Sequence, residues 1–85
     1  MVDFVDFETG TAVSVKTSYS NRSLPSLYRH LNDLAFRVWL NGEHPCNTIL
    51  DLRVLPGTQN QFKGLVTQGR KLGIDVRIGT VNFEH

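Results

Sequence analysis

Apolar and polar positions alternate with period two at the start of the chain. Val2 to Thr17 reads VDFVDFETGTAVSVKT, two strand-like runs that meet at Glu8-Thr9-Gly10-Thr11. Glycine there supplies the positive φ that a tight hairpin turn needs. The second run puts Val13 and Val15 on one face and Ser14 and Lys16 on the other. A two-residue loop at Thr9-Gly10 pairs Asp3 with Lys16 and Val5 with Ser14; a three-residue loop pairs Asp6 with Ser14 and Phe4 with Lys16. One extra residue or a bulge flips the face, so both registers stay open. In either, at least one carboxylate shares a side of the sheet with Ser14 and Lys16.

The period then lengthens. Ser18 to Ser23 is a polar loop from which Tyr19 and Arg22 reach outward, and Ser23 is placed to cap a helix with Pro25 in its first turn. Leu27, Leu31, Leu34, Ala35 and Val38 recur at helical spacing, flanked by Tyr28 and Trp39. Arg29, His30, Asp33 and Arg37 fall mostly on the other side, which makes His30 a solvent-facing residue. Asn41-Gly42 closes this helix. Thr48 to Leu55 is a strand with Leu50, Leu52 and Val54 inward, stopped by Pro56-Gly57. Thr58 and Gln61 have capping-box spacing. Phe62, Leu65, Val66, Gly69 and Leu72 form the apolar stripe of a second helix, where Gly64 and Gly69 imply close backbone approach. Gly73 ends it, and Ile74 to Val81 is the last strand, with Ile74, Val76 and Ile78 alternating against Asp75 and Arg77. Strand, helix and strand within about 33 residues predict a right-handed parallel βαβ unit. The whole is one domain, residues 1–85, of mixed α/β class: a ββαβαβ sandwich whose four-stranded sheet begins with an antiparallel hairpin.

Composition narrows the class. With 85 residues, 40% hydrophobic and 20% charged, the chain is an ordinary globular domain rather than a disordered one. No apolar run reaches the length of a membrane span, and the start shows no signal-peptide pattern. A single Cys46 excludes an internal disulfide framework and a multi-cysteine zinc site; within His44-Pro45-Cys46 it reads as a plain loop thiol. Net charge is only +1, but residues 1–8 hold three acids and no base, while the rest holds nine bases against five acids. An acidic pole on a basic body suits a phosphate-backbone ligand with a cation site beside it, and equally suits an ordinary surface. Asp3, Asp6 and Glu8 with Ser14 and Lys16 are the candidate site. The plainer alternative is a solvated hairpin face with a surface salt bridge.

The run DFVDFETGTAVSVKT resembles the hairpin of restriction-endonuclease-like nucleases, the PD-(D/E)XK superfamily. More closely, it is similar to nuclease toxin domains at the C-termini of contact-dependent growth inhibition proteins and related polymorphic toxins. The matching residues are Val2-Asp3, Thr9-Gly10 and Ser14-Val15-Lys16-Thr17. LDLRVLPGTQNQF and GRKLGIDVRIGTV are similar to that family's proline-ended strand, Gln-bearing helix and final strand. The resemblance implies a metal-dependent endonuclease that hydrolyses phosphodiesters of DNA or RNA, tRNA included, and acts as a bacterial toxin restrained by a cognate immunity protein. It implies a protein delivered from the surface of one cell into the cytoplasm of another, with a cytoplasmic location as the alternative. Asp3 would bind the metal, Lys16 would be the catalytic lysine, Ser14 would position water, and Thr17 would orient Lys16 or contact phosphate. Asp6 and Glu8 are reserve metal ligands should the turn shift the register. The cation would be Mg²⁺, with Mn²⁺ or Zn²⁺ as alternatives, because carboxylate oxygens suit hard ions that keep several waters. Nucleic-acid contacts would come from Tyr19, Arg22, Gln61, Lys63, Arg70 and Lys71, although Lys63, Arg70 and Lys71 also read as a solvated helix face.

The chain departs from the family in three places. Val2 stands where phenylalanine is usual, and Ser18-Tyr19-Ser20 replaces an "LDT" segment. Family members also carry an acid on a helix ahead of the hairpin, whereas only Met1 and Val2 precede Asp3 here. The sequence is therefore expected to be a trimmed domain or a reduced member. Two rivals to the nuclease follow: a non-catalytic nucleic-acid-binding domain, and a protein-interaction module that uses the hairpin edge for strand addition.

Overall fold

A computed structural model describes residues 2–36 and 42–81. The strands are β1 (Phe4–Asp6), β2 (Thr11–Ser18), β3 (Asn47–Val54) and β4 (Ile74–Thr80), and the helices are α1 (Leu24–Phe36) and α2 (Lys63–Leu72). They form one sheet in the order β1-β2-β3-β4. β1 runs antiparallel to β2, whereas β2 and β3, and β3 and β4, are parallel. The mixed four-stranded α/β sandwich expected from the sequence is thus present. It holds two parallel crossovers rather than one, because α1 also links a parallel pair.

One side of the sheet is covered and the other open. Alternate residues of the three long strands point inward: Ala12, Ser14 and Ser18 from β2; Thr48, Leu50, Leu52 and Val54 from β3; Ile74 and Val76 from β4. Against them pack Leu27, Leu31 and Leu34 of α1, then Phe62 and Leu65 at and within α2. The opposite face shows Val15, Thr17, Arg53, Asp75 and Arg77 to solvent. There Arg53 pairs with Asp51 at 3.1 Å and Arg77 with Asp75 at 3.0 Å.

Local chemistry corrects three expectations. The hairpin turn has four residues, 7–10, and pairs Phe4 with Val13, Val5 with Ala12 and Asp6 with Thr11, so neither shorter loop forms. The longer turn is satisfied internally. The Asp6 carboxylate accepts the Glu8 N–H at 3.0 Å, the Thr9 and Thr11 hydroxyls are 2.8 Å apart, and Gly10 takes φ +68°. A short 3₁₀ turn over Asn21–Ser23 leads into α1, and Ser20 rather than Ser23 caps it, its hydroxyl accepting the Arg22 N–H at 3.2 Å. Thr58 does not complete a capping box with Gln61. Its hydroxyl donates to the Leu55 carbonyl at 2.7 Å, and the Gln61 N–H goes to the Thr58 carbonyl.

The C-terminal end of α2 follows expectation. Gly73 closes α2 at φ +77°, with its N–H on the carbonyls of Arg70 and Gly69. The roles expected for Arg37, Val38, Trp39 and Asn41 lie outside the described residues.

Candidate active site

The hairpin clasps Asp3 onto β2. Its backbone N–H donates to the Val13 carbonyl at 2.9 Å, and its Oδ2 accepts the Val15 N–H at 2.7 Å. Asp3 therefore spans Ser14 from either side. Ser14 is wholly buried, and its hydroxyl lies 2.8 Å from His30 Nε2. Lys16, two residues further along β2 on the same helix-covered side, is exposed. It lines a cavity of about 270 Å³ together with Ser23, Ser26, Arg29, His30 and Asp33 of the α1 region. Charge is thus concentrated where β2 passes beneath the first turns of α1.

His30 is the residue that the sequence pattern placed on the wrong face. It is half-buried and faces β2, not solvent. Positions 27, 30, 31 and 34 complete an i, i+3, i+4, i+7 set, so His30 belongs to the edge of the buried stripe. That spacing was the available signal. Partial burial lowers its pKa below the usual 6.5, and the Lys16 ammonium adds to this, while Asp33 and, more weakly, Asp3 pull the other way. The shift favours the neutral imidazole.

The other predicted residues do not converge here. Asp6 pairs with Thr11, which the strand alternation turns to the open side of the sheet, and its carboxylate is engaged with the turn. Glu8 borders a separate hollow with Phe7, Glu43, His44 and Cys46. Thr17 is exposed on the open side, opposite to Lys16. Tyr19, Arg22, Gln61, Lys63, Arg70 and Lys71 are all exposed, and none lines the cavity.

The donor set bears on the implied cation. Among the described residues no group of three or more His, Cys, Asp or Glu side chains is arranged to hold a metal ion. Asp3 supplies one carboxylate, held against β2 next to Ser14. Mg²⁺ is commonly held by one or two carboxylates, with water and phosphate oxygens completing its shell. The Asp3 carboxylate fits that pattern. Zn²⁺, which takes three or four protein ligands, would need donors from elsewhere.

Among known proteins, no family model matches the sequence, and no curated protein does. The fold is similar to that of a chain in the CdiA-CT/CdiI toxin and immunity complex from Yersinia pseudotuberculosis, with a TM-score of 0.75. The match covers 95% of this chain and 82% of that one at 20% identity. The two share a fold.

Proposed function

We propose that this chain carries the catalytic hairpin of a nuclease toxin domain that hydrolyses nucleic-acid phosphodiesters. The observation that carries the reading is the clasp of Asp3 around Ser14 with Lys16 opening onto the adjoining cavity. A carboxylate, a hydroxyl and an ammonium are thereby held on two paired strands. Lys16 is placed to offset charge developing on the phosphate oxygens in the transition state. On this reading Asp3 would hold a hydrated divalent cation, Mg²⁺ first, and the chemistry such an ion would supply is activation of water and neutralisation of the leaving oxygen. The similar fold of a chain from a toxin and immunity complex supports the toxin setting, and with it delivery into a target cell and a protein partner that blocks the site.

The test is cleavage of plasmid DNA and of total tRNA by the wild type, Lys16→Ala and Asp3→Asn, with Mg²⁺ and with EDTA. We expect cleavage by the wild type, lost with EDTA and reduced by roughly 100-fold or more in Lys16→Ala, the scale of removing one positioned charge-stabilising group. Salt-sensitive binding with no cleavage would replace the enzyme with a binding module. Tight binding of a protein partner without affinity for nucleic acid would point to an interaction domain.

A further inference from the structure

We propose that the cavity between β2 and the first turns of α1 is a phosphate-binding subsite, with Lys16 and Arg29 as its charges and His30, anchored by Ser14, as its third donor. The proposal rests on the nuclease reading and extends it. Arg29 and His30 would join Lys16 in holding one phosphate of the bound strand.

Three observations carry it. The cavity measures about 270 Å³, enough for a phosphate group with part of a sugar, and it is lined by two cations, two serines, an imidazole and Leu27, with Asp33 as its one acid. The Ser14 hydroxyl, 2.8 Å from Nε2, fixes the ring and leaves Nδ1 as its remaining polar atom. The first turn of α1 carries no acidic residue, so the positive end of its helix dipole is not offset there.

An anion in this cavity changes the balance at His30. The ring is acted on by Lys16 from β2, by Asp33 from α1, and more weakly by the chain's amino group and by Asp3, and Arg29 lines the same cavity. Lys16 opposes protonation, and a bound phosphate oxygen would offset it. The doubly protonated ring would then donate from Nε2 to Ser14 and from Nδ1 to the anion, a charge-assisted pair. Binding and proton uptake are coupled by linkage, so affinity should rise as pH falls from 7.5 to 5.5. A phosphodiester keeps one charge across that range, which assigns the pH dependence to the protein.

The experiment is an NMR titration of the His30 ring at several pH values, with inorganic phosphate in one arm and a dinucleoside monophosphate in the other. Chloride at matched ionic strength is the control. Both probes should move the His30 titration to higher pH, and the dinucleotide should bind more tightly at pH 5.5 than at 7.5. Arg29→Ala should weaken binding by about tenfold, the scale of one charge-assisted hydrogen bond. His30→Gln should abolish the pH dependence while Ser14 keeps a partner. A response to inorganic phosphate but not to the dinucleotide would overturn the nucleic-acid assignment. No response to either probe, or an Arg29→Ala variant that binds like the wild type, would overturn the subsite. Loss of the nuclease reading is scored separately, by absence of cleavage in the wild type.

Discussion

Gly69→Ala tests the packing that holds α2 against β4. Gly69 is buried within α2, and a Cβ added there would lie 2.5 Å from Val76 Cγ2 and 3.0 Å from the Ile74 carbonyl. An ordinary carbon–carbon contact is about 3.5–4.0 Å, so the methyl would intrude by roughly 1 Å. Val76 is β-branched and 7% exposed, which leaves its methyl little room to rotate away. Overpacking of this kind costs about 1–3 kcal/mol, and the gain in helix propensity from Gly to Ala returns about 1 kcal/mol. The net expectation is a loss of up to about 2 kcal/mol, at roughly 4–8 °C in Tm per kcal/mol for a domain of this size. Urea unfolding followed by circular dichroism measures it, with an unchanged m-value showing that the effect is on stability. In a Val76→Ala background only the approach to the Ile74 carbonyl remains, and Gly69→Ala should cost less than in the wild type, a coupling of about 1–2 kcal/mol. A Gly69→Ala protein more stable than the wild type by the full propensity gain would refute the close approach.

Other outcomes follow from the same structure. Because the folded His30 pKa lies below 6.5, the unfolded chain takes up its proton first on acidification. The contribution of neutral His30 is complete above 6.5 and is lost as pH falls through the folded value. Melting profiles from pH 8 to 5 should therefore be flatter for His30→Gln, and parallel profiles would contradict the burial of the ring. Leu52, fully buried in the central strand β3, should lose about 2–5 kcal/mol on replacement by Ala. In a domain this small that unfolds much of the population near 37 °C, which limited proteolysis would register.

The sequence declared most of the fold and only part of the site, for different physical reasons. Strands β3 and β4 and helix α2 carry strong periodicity with glycine or proline at their ends, and those signals are local. The hairpin register was not legible. It depends on how the turn satisfies its own polar groups, and Asp6 with Thr9 and Thr11 closes a four-residue loop that alternation alone cannot separate from shorter ones. That choice turns Asp6 away from Ser14 and leaves Asp3 as the carboxylate on β2. His30 was misread because a polar residue at the margin of an apolar stripe is ambiguous until its partner is known. The partner, Ser14, lies 16 residues earlier on another element.

The Ser14–His30 pair also shows what β2 gives up. Facing the helices, β3 presents Leu50, Leu52 and Val54, while β2 presents Ala12, Ser14 and Ser18. A buried aliphatic side chain contributes about 1.5–3 kcal/mol relative to exposure, so a strand devoted to stability would carry one at position 14. Replacing both members of a buried hydrogen bond by apolar groups is often neutral or stabilising, whereas removing one leaves the other unsatisfied. Ser14→Ala alone should therefore destabilise the fold by about 1 kcal/mol. The double variant Ser14→Val/His30→Leu should match or exceed the wild type in urea unfolding while losing phosphate binding and cleavage. A double variant less stable than Ser14→Ala would mean that the pair exists to hold the sheet to α1. The chemistry assigned to it here would then have to rest on Asp3 and Lys16 alone.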